Sequence, residues 1–178
     1  IGTDIFRQAP PVPTRVIGAD GRVLYTSADI VRGRQVWQSI GGMEQGSIWG
    51  HGSYLAPDWS ADWLHREAEA LLALSTSPVP EGVSATQAEA MRKAALQEEM
   101  RRNTYDPASG VITVSDARAR AIRQVQQHFV SLYDGGDPAS LQLRRDYAFP
   151  VYGELSEAEA RQLAAFYFWT AWGATTNR

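Results

Sequence analysis

Apolar residues recur at helical spacing along most of the chain and alternate only in short stretches. The helical spacing predicts helices over about 28–39, 60–75, 86–102, 116–133 and from Ser156 to near the end. Alternation on either side of Ala19-Asp20-Gly21 predicts a hairpin over about 15–26, and turn residues before a β-branched run predict another over about 103–114. The expected fold class is therefore mainly α, with one or two small β-hairpins.

Small hydroxylated residues precede four of these helices and can accept a hydrogen bond from a first-turn amide. The predicted caps are Ser27, Ser115, Ser156 and, for the third helix, either Ser84 or Thr86. In the helix over about 60–75, tryptophan and leucine residues form the apolar face. Glu67 and Glu69 are expected mostly on the opposite side.

The last predicted helix carries an unusually aromatic string, LAAFYFWTAWGA. This string is shorter than the roughly 20 apolar residues that a membrane-spanning helix needs, which favours a helix in the protein core. An aromatic belt at a membrane interface is the alternative, because tryptophan and tyrosine concentrate there.

The stretch GHGSYLAPDWSADWLHRE, residues 50–67, concentrates the residue types that binding sites use. An ordered loop that caps the following helix is the simplest interpretation. Two further hypotheses remain open: a small-molecule or peptide pocket formed by Trp59, Trp63 and His65, and a metal-dependent hydrolase that uses His51, Asp62 and His65. No catalytic triad or phosphate-binding loop is recognisable, so we predict no catalytic residues in this chain.

Composition excludes several classes of protein. The 178 residues contain no cysteine, which rules out a disulfide scaffold, thiolate zinc sites and haem attachment through CxxCH. The net charge of -3 and the scattered arginines provide no basic face, so nucleic acid is not an expected partner. We expect the proline-rich residues 1–14 to form an extended tether, and residues 15–178 to form one domain.

The 50–67 stretch, together with GRQVW at 33–37 and FYFWTAW near the end, resembles the N-terminal extracytoplasmic domain of quinol-dependent nitric oxide reductases. The resemblance covers essentially the whole chain. It implies a parent enzyme that reduces nitric oxide to nitrous oxide in a membrane-embedded part carrying haem b and non-haem iron. The present chain would lie on the periplasmic face, tethered by flanking membrane helices. Its partner would be the catalytic part of the same polypeptide, and quinol would act only through that parent.

The resemblance further implies a cytochrome c-like fold without haem c. The haem-attachment motif of the related haem c subunits falls on residues 42–46, so Gly42 and Gln45 replace the cysteines and Gly46 replaces the proximal histidine. The axial methionine falls on Phe149. We expect Trp49, Phe149 and Tyr152 to fill the haem's volume.

The same resemblance implies a role for the backbone carbonyls of Gly52 and Tyr54. They would help bind calcium at the interface with the membrane-embedded part.

Overall fold

The computed structural model describes residues 10–75, 81–134, 138–147, 149 and 155–177. Six helices and six short strands follow one another along this part of the chain: β1 (Arg15–Gly18), β2 (Val23–Thr26), α1 (Ser27–Ser39), β3 (Ser47–Ile48), β4 (His51–Gly52), α2 (Trp59–Leu74), α3 (Ala85–Arg101), β5 (Tyr105–Asp106), β6 (Val111–Val114), α4 (Asp116–Asp134), α5 (Pro138–Asp146) and α6 (Glu157–Thr175). The mainly α class with small hairpins is confirmed. Residues 1–9 of the predicted tether and Tyr152 lie outside the described residues.

The two predicted hairpins are both present, and they belong to one sheet. β1 pairs antiparallel with β2, and β5 pairs antiparallel with β6. β1 also pairs in parallel with β6, from Arg15 opposite Val111 to Gly18 opposite Val114. The strand order is therefore β2-β1-β6-β5, which ties the start of the chain to its middle.

Side-chain caps start the helices close to where the sequence predicts them. Ser84 and Ser156 each form a capping box, and the Ser115 hydroxyl accepts from the Arg118 amide at 3.1 Å. The prediction of Ser27 as the first cap was wrong by one residue, because Thr26 accepts from Asp29 N and Asp29 in turn accepts from Thr26 N at 2.8 Å. This reciprocal pair satisfies two backbone donors at once.

Helix α6 lies at the centre of the core and packs against α1, α2 and α4. Its aromatic string is a core element, because Phe166, Tyr167, Phe168 and Trp172 are buried; the membrane-belt alternative holds for none of these four. Helix α1 approaches α6 closely at Gly33, where an added Cβ would lie 1.9 Å from the carbonyl oxygen of Gln162.

Two features of the helices differ from the predictions. Glu67 was expected on the solvated side of α2, but its side chain is buried beside Trp63 and Arg118. Helix α5 was not among the predicted helices, and it begins at Pro138. Proline at the first helical position costs little, since the amide that it lacks would have no partner there.

Candidate functional site

A tight hairpin, β3–β4, forms the first part of the site. Ser47 lies opposite Gly52 and Ile48 opposite His51, so only Trp49 and Gly50 make the turn. Both have positive φ, 53° and 75°, as a type I′ turn requires. The sequence predicted an ordered loop here and not a hairpin. The hairpin has no recognisable sequence signal, because a tryptophan at positive φ is uncommon and the turn lacks the usual Asn-Gly or Asp-Gly pair.

Asp58 fixes this hairpin to the N-terminus of α2. One carboxylate oxygen accepts from the Ser47 hydroxyl at 2.8 Å and from the Gly50 amide at 2.6 Å, while the other accepts from the Ala61 amide at 3.0 Å. Burial raises the pKa of this carboxyl, but the hydrogen bonds outweigh burial and lower the pKa below its ordinary value. Asp58 is therefore both the helix cap and the support of the turn.

Directly after Asp58, Trp59 occupies the middle of an aromatic cluster. Its ring stacks on Tyr167 at a centroid distance of 5.5 Å and an interplanar angle of 14°. It also meets Phe129, Tyr133, Tyr147 and Phe149 at 5.7–6.4 Å, three of them edge to face. Trp59 is fully buried, so these contacts are made without solvent.

The tyrosines of the cluster are neutral. The hydroxyls of Tyr133 and Tyr167 lie 2.8 Å apart and share a hydrogen bond. Burial is the main cause that raises the pKa of both phenols, since a phenolate would lose its hydration in the core.

The resemblance assigns the haem c ligands of the related subunits to residues 42, 45, 46 and 149, and protein atoms fill the space next to them. A Cβ added at Gly46 would lie 2.4 Å from Trp59 Nε1, and one added at Gly42 would lie 2.2 Å from Trp37 Nε1. The Gln45 side chain is buried and donates to the Ile40 carbonyl. The Phe149 ring meets the Trp59 ring edge to face, at a centroid distance of 5.7 Å. Trp59 thus contacts both positions that the resemblance assigns to the axial ligands, Gly46 and Phe149. Without a cysteine, no thioether-bound haem c can form.

Trp49 lies elsewhere. Its indole N–H donates to the Thr170 carbonyl at 2.8 Å and its ring packs against Trp169 at 5.7 Å, partly exposed at the surface. Trp49 was expected among the residues that fill the haem's volume, whereas the ring at the centre of the aromatic cluster belongs to Trp59.

The structure does not bring together the residues of the alternative pocket and metal site. Trp59 and Trp63 are fully buried one helical turn apart, while His65 is exposed and lies 3.3 Å from Glu69, so the three make no common pocket. Asp62 is paired with Arg66 at 2.8 Å. Among the residues that the structure describes, no group of three potential metal ligands occurs, which leaves the hydrolase hypothesis on His51, Asp62 and His65 without support.

A buried ion pair behind Trp63 was missed by the sequence analysis. Glu67 accepts from Arg118 Nε at 2.7 Å and from the Trp63 indole at 2.8 Å, and Arg118 also donates to the Glu99 carbonyl at 3.2 Å. The pair joins α2, α3 and α4. Nothing in the local sequence marks Glu67 as paired, because its partner lies 51 residues away.

The fold defines a class of small, mainly helical domains whose core is an aromatic cluster. The chain belongs to the family of NorB cytochrome c-like domains of nitric oxide reductase, whose model matches residues 13–178. No curated protein matches the chain. Across the described ranges, no helix has both the length and the apolar character needed to cross a membrane.

Proposed function

We propose that this domain is a non-catalytic, haemless cover on the extracytoplasmic face of a quinol-dependent nitric oxide reductase. The observation that supports the proposal is the position of Trp59, which contacts both Gly46 and Phe149, the two positions that the resemblance assigns to the axial haem ligands. Family membership supplies the parent enzyme. In this proposal, electrons pass from quinol to the haem b and non-haem iron of the membrane-embedded part without entering the domain.

The measurement that tests this proposal is the haem content and electron donor of the parent enzyme. A pyridine haemochrome spectrum is expected to show b-type haem only, and nitric oxide reduction is expected with quinol but not with a soluble cytochrome c. A haem bound by the domain, covalently or not, would contradict the proposal.

The aromatic cluster also predicts which side chains contribute most to the free energy of unfolding. Trp59→Ala should lower the free energy of unfolding by about 3–5 kcal/mol, since it removes a fully buried ring. Phe149→Ala should cost less, because Phe149 is only partly buried. Urea denaturation of the chain measures both, with the exposed Tyr54→Ala as control, expected within about 0.5 kcal/mol of wild type. Equal free energies of unfolding for Trp59→Ala and wild type would show that the Trp59 ring does not stabilise the core.

Calcium is the one cofactor that we propose at the edge of this domain. Backbone carbonyls of Gly52 and Tyr54 would be its ligands here, and carbonyl oxygens suit calcium. Asp58 is already committed to three hydrogen bonds, so the remaining ligands would come from the membrane-embedded part. The isolated chain should therefore show no high-affinity calcium binding, which means a Kd no lower than about 1 μM. Isothermal titration calorimetry measures this affinity, and sub-micromolar binding would contradict the proposal.

A further inference from the structure

Tyr25 on β2 carries a buried polar group that the fold leaves unused. The residue is only 3% exposed, and its hydroxyl has no hydrogen-bond partner among the residues that the structure describes. By contrast, the buried hydroxyls of Tyr133 and Tyr167 bond to each other at 2.8 Å. A hydroxyl that is buried without a partner has lost its hydration and gained nothing in return. Tyr25 is therefore a place where a bound molecule could supply the missing contact.

Beside Tyr25 lies a cavity of about 250 Å³, which we call the Tyr25 cavity. It is placed where β2, the first turn of α1, the middle of α4 and the first turns of α6 meet. Its walls are formed by Leu24, Tyr25, Asp29, Gln126, Ala158, Arg161 and Gln162. At ~30 Å³ per water this space corresponds to roughly eight waters, and pockets for drug-sized molecules begin at roughly 300 Å³. The cavity therefore suits a compact ligand.

The Tyr25 cavity contains one carboxylate and one guanidinium that are not paired with each other. Asp29 Oδ2 accepts from the Thr26 amide and hydroxyl at 2.8 and 2.7 Å, which leaves Asp29 Oδ1 available. Arg161 donates from Nε and Nη2 to Glu157 at 3.0 and 2.7 Å, which leaves Nη1 available. Among the described residues, the ion pair of Arg161 is with Glu157 and not with Asp29. The cavity thus offers an acceptor and a donor of opposite charge.

Both of these charges act on the Tyr25 hydroxyl. Burial is the main cause that raises the pKa of this phenol. The carboxylates of Glu67 and Asp29 raise the pKa further, whereas the Arg161 guanidinium lowers it. The hydroxyl is therefore neutral and able to donate, and it lies within electrostatic range of the two charged walls of the cavity.

We propose that the Tyr25 cavity binds a compact zwitterion, namely a small free α-amino acid. The ligand carboxylate accepts from Arg161 Nη1 and from the Tyr25 hydroxyl, and the ligand ammonium group donates to Asp29 Oδ1. The side-chain amides of Gln126 and Gln162 line the same space and can donate or accept. The site is independent of the proposed function, because none of these residues belongs to the aromatic cluster or to the β3–β4 hairpin.

Isothermal titration of the chain with glycine, L-alanine and L-serine tests the site. Saturable binding of one molecule per chain is expected, with a Kd of about 1 mM or lower for L-alanine, because two charge-assisted contacts form. Propionate and ethylammonium each keep only one charge of alanine and are expected to bind at least roughly tenfold more weakly. Equal binding of either single-charge compound would overturn the zwitterion, and no saturable binding of any of the three amino acids would overturn the site.

Tyr25→Phe separates a ligand-binding tyrosine from an ordinary buried one. It removes a hydroxyl without a partner, so the Tm of the ligand-free chain should stay the same or rise, while the affinity for L-alanine falls roughly tenfold. Tyr133→Phe is the matched control, since it removes a bonded hydroxyl. It should lower Tm by about 2–4 °C and leave the affinity unchanged. A lower Tm for Tyr25→Phe with unchanged affinity would show that water alone satisfies this hydroxyl, and would overturn the proposed contact.

Two charge variants assign the ends of the ligand. Asp29→Asn should bring the affinity for L-alanine down to that for propionate, because the contact with the ammonium group is lost. Arg161→Gln should bring it down to that for ethylammonium, because the contact with the carboxylate is lost. These ratios compare ligands on the same variant, so a change in its stability does not produce them. Unchanged affinity for L-alanine in both variants would overturn the assignment of Asp29 and Arg161 to the site.

Discussion

At the scale of single residues, Asp58 shows how one carboxylate can organise a site. It caps α2, supports the amide of a residue at positive φ and binds the Ser47 hydroxyl, all within 3.0 Å. Each partner is a donor, so the ionised form is the one that fits. Protonation of Asp58 should therefore loosen the hairpin.

The pH dependence of this contact can be predicted. The pKa of Asp58 is lower in the folded chain than in the unfolded one, so its contribution is present above the unfolded pKa, near 4, and is lost as the pH falls through the folded pKa. Asp58→Asn, which keeps a helix cap but loses the charge, should lower Tm by a constant amount from about pH 5 to 7. The difference from wild type should shrink below about pH 4. Thermal denaturation followed by circular dichroism measures it, and a difference independent of pH would argue against this role.

Residue types also explain what could be predicted of the site. Gly52 belongs to the stretch over 50–67 that the sequence predicts to be an ordered loop, and the structure shows why a glycine stands there: an added Cβ would lie 2.2 Å from the Gly46 carbonyl. The burial of Glu67 could not be predicted, because it depends on Arg118 from another helix. Local sequence reports backbone requirements well and distant partners poorly.

At the scale of elements, the buried Glu67–Arg118 pair links three helices. Arg118→Met should lower the free energy of unfolding by about 3–5 kcal/mol, because it leaves Glu67 buried without its counter-charge. The double variant Glu67→Leu with Arg118→Met should recover most of that loss, since neither charge then remains. Urea denaturation measures both.

The exposed pair Glu157 and Arg161 on α6 is the control for this prediction. It has the same 2.7 Å separation, but both side chains are more than half exposed. Arg161→Ala should cost less than about 1 kcal/mol. If Arg118→Met cost no more than Arg161→Ala, burial would not be what makes the pair important.

The contact between α1 and α6 provides a second prediction. An alanine in place of a helical glycine ordinarily stabilises by up to about 1 kcal/mol. Gly33→Ala should instead destabilise by about 1–3 kcal/mol, because the new methyl group would collide with the backbone of Gln162 and with Phe166. Thermal denaturation distinguishes the signs, with the exposed neighbour Arg34→Ala as control. A stabilised Gly33→Ala would show that the two helices separate easily.

The positions of most elements could be predicted, whereas their pairing could not. Helix starts follow from caps such as Ser84 and Ser156, which act within one turn. The parallel pairing of β1 with β6 joins segments almost a hundred residues apart, and no local pattern encodes it. The resemblance to nitric oxide reductases identified the family, because the unusual 50–67 stretch is specific.

At the scale of the whole molecule, the first and last segments are packed together. The β1–β2 hairpin lies in the same sheet as β6, and α1 packs along α6. Removal of residues 1–26 would expose one side of β6 and the start of α1. We expect the truncated chain to lose its near-ultraviolet circular dichroism. The complete chain is expected to unfold in one transition, with the same midpoint by tryptophan fluorescence and by far-ultraviolet circular dichroism. Separate midpoints would indicate independent subdomains.

The glycines at 42 and 46 have a consequence for the history of the domain. If they stand where an ancestral cytochrome held a cysteine and a histidine, restoring those two side chains would drive them into Trp37 and Trp59. Reversion would thus require the surrounding tryptophans to change first, and each such change alone would open a cavity. If the domain does descend from such a cytochrome, no single substitution at these two glycines would restore a haem ligand without a clash with a buried tryptophan.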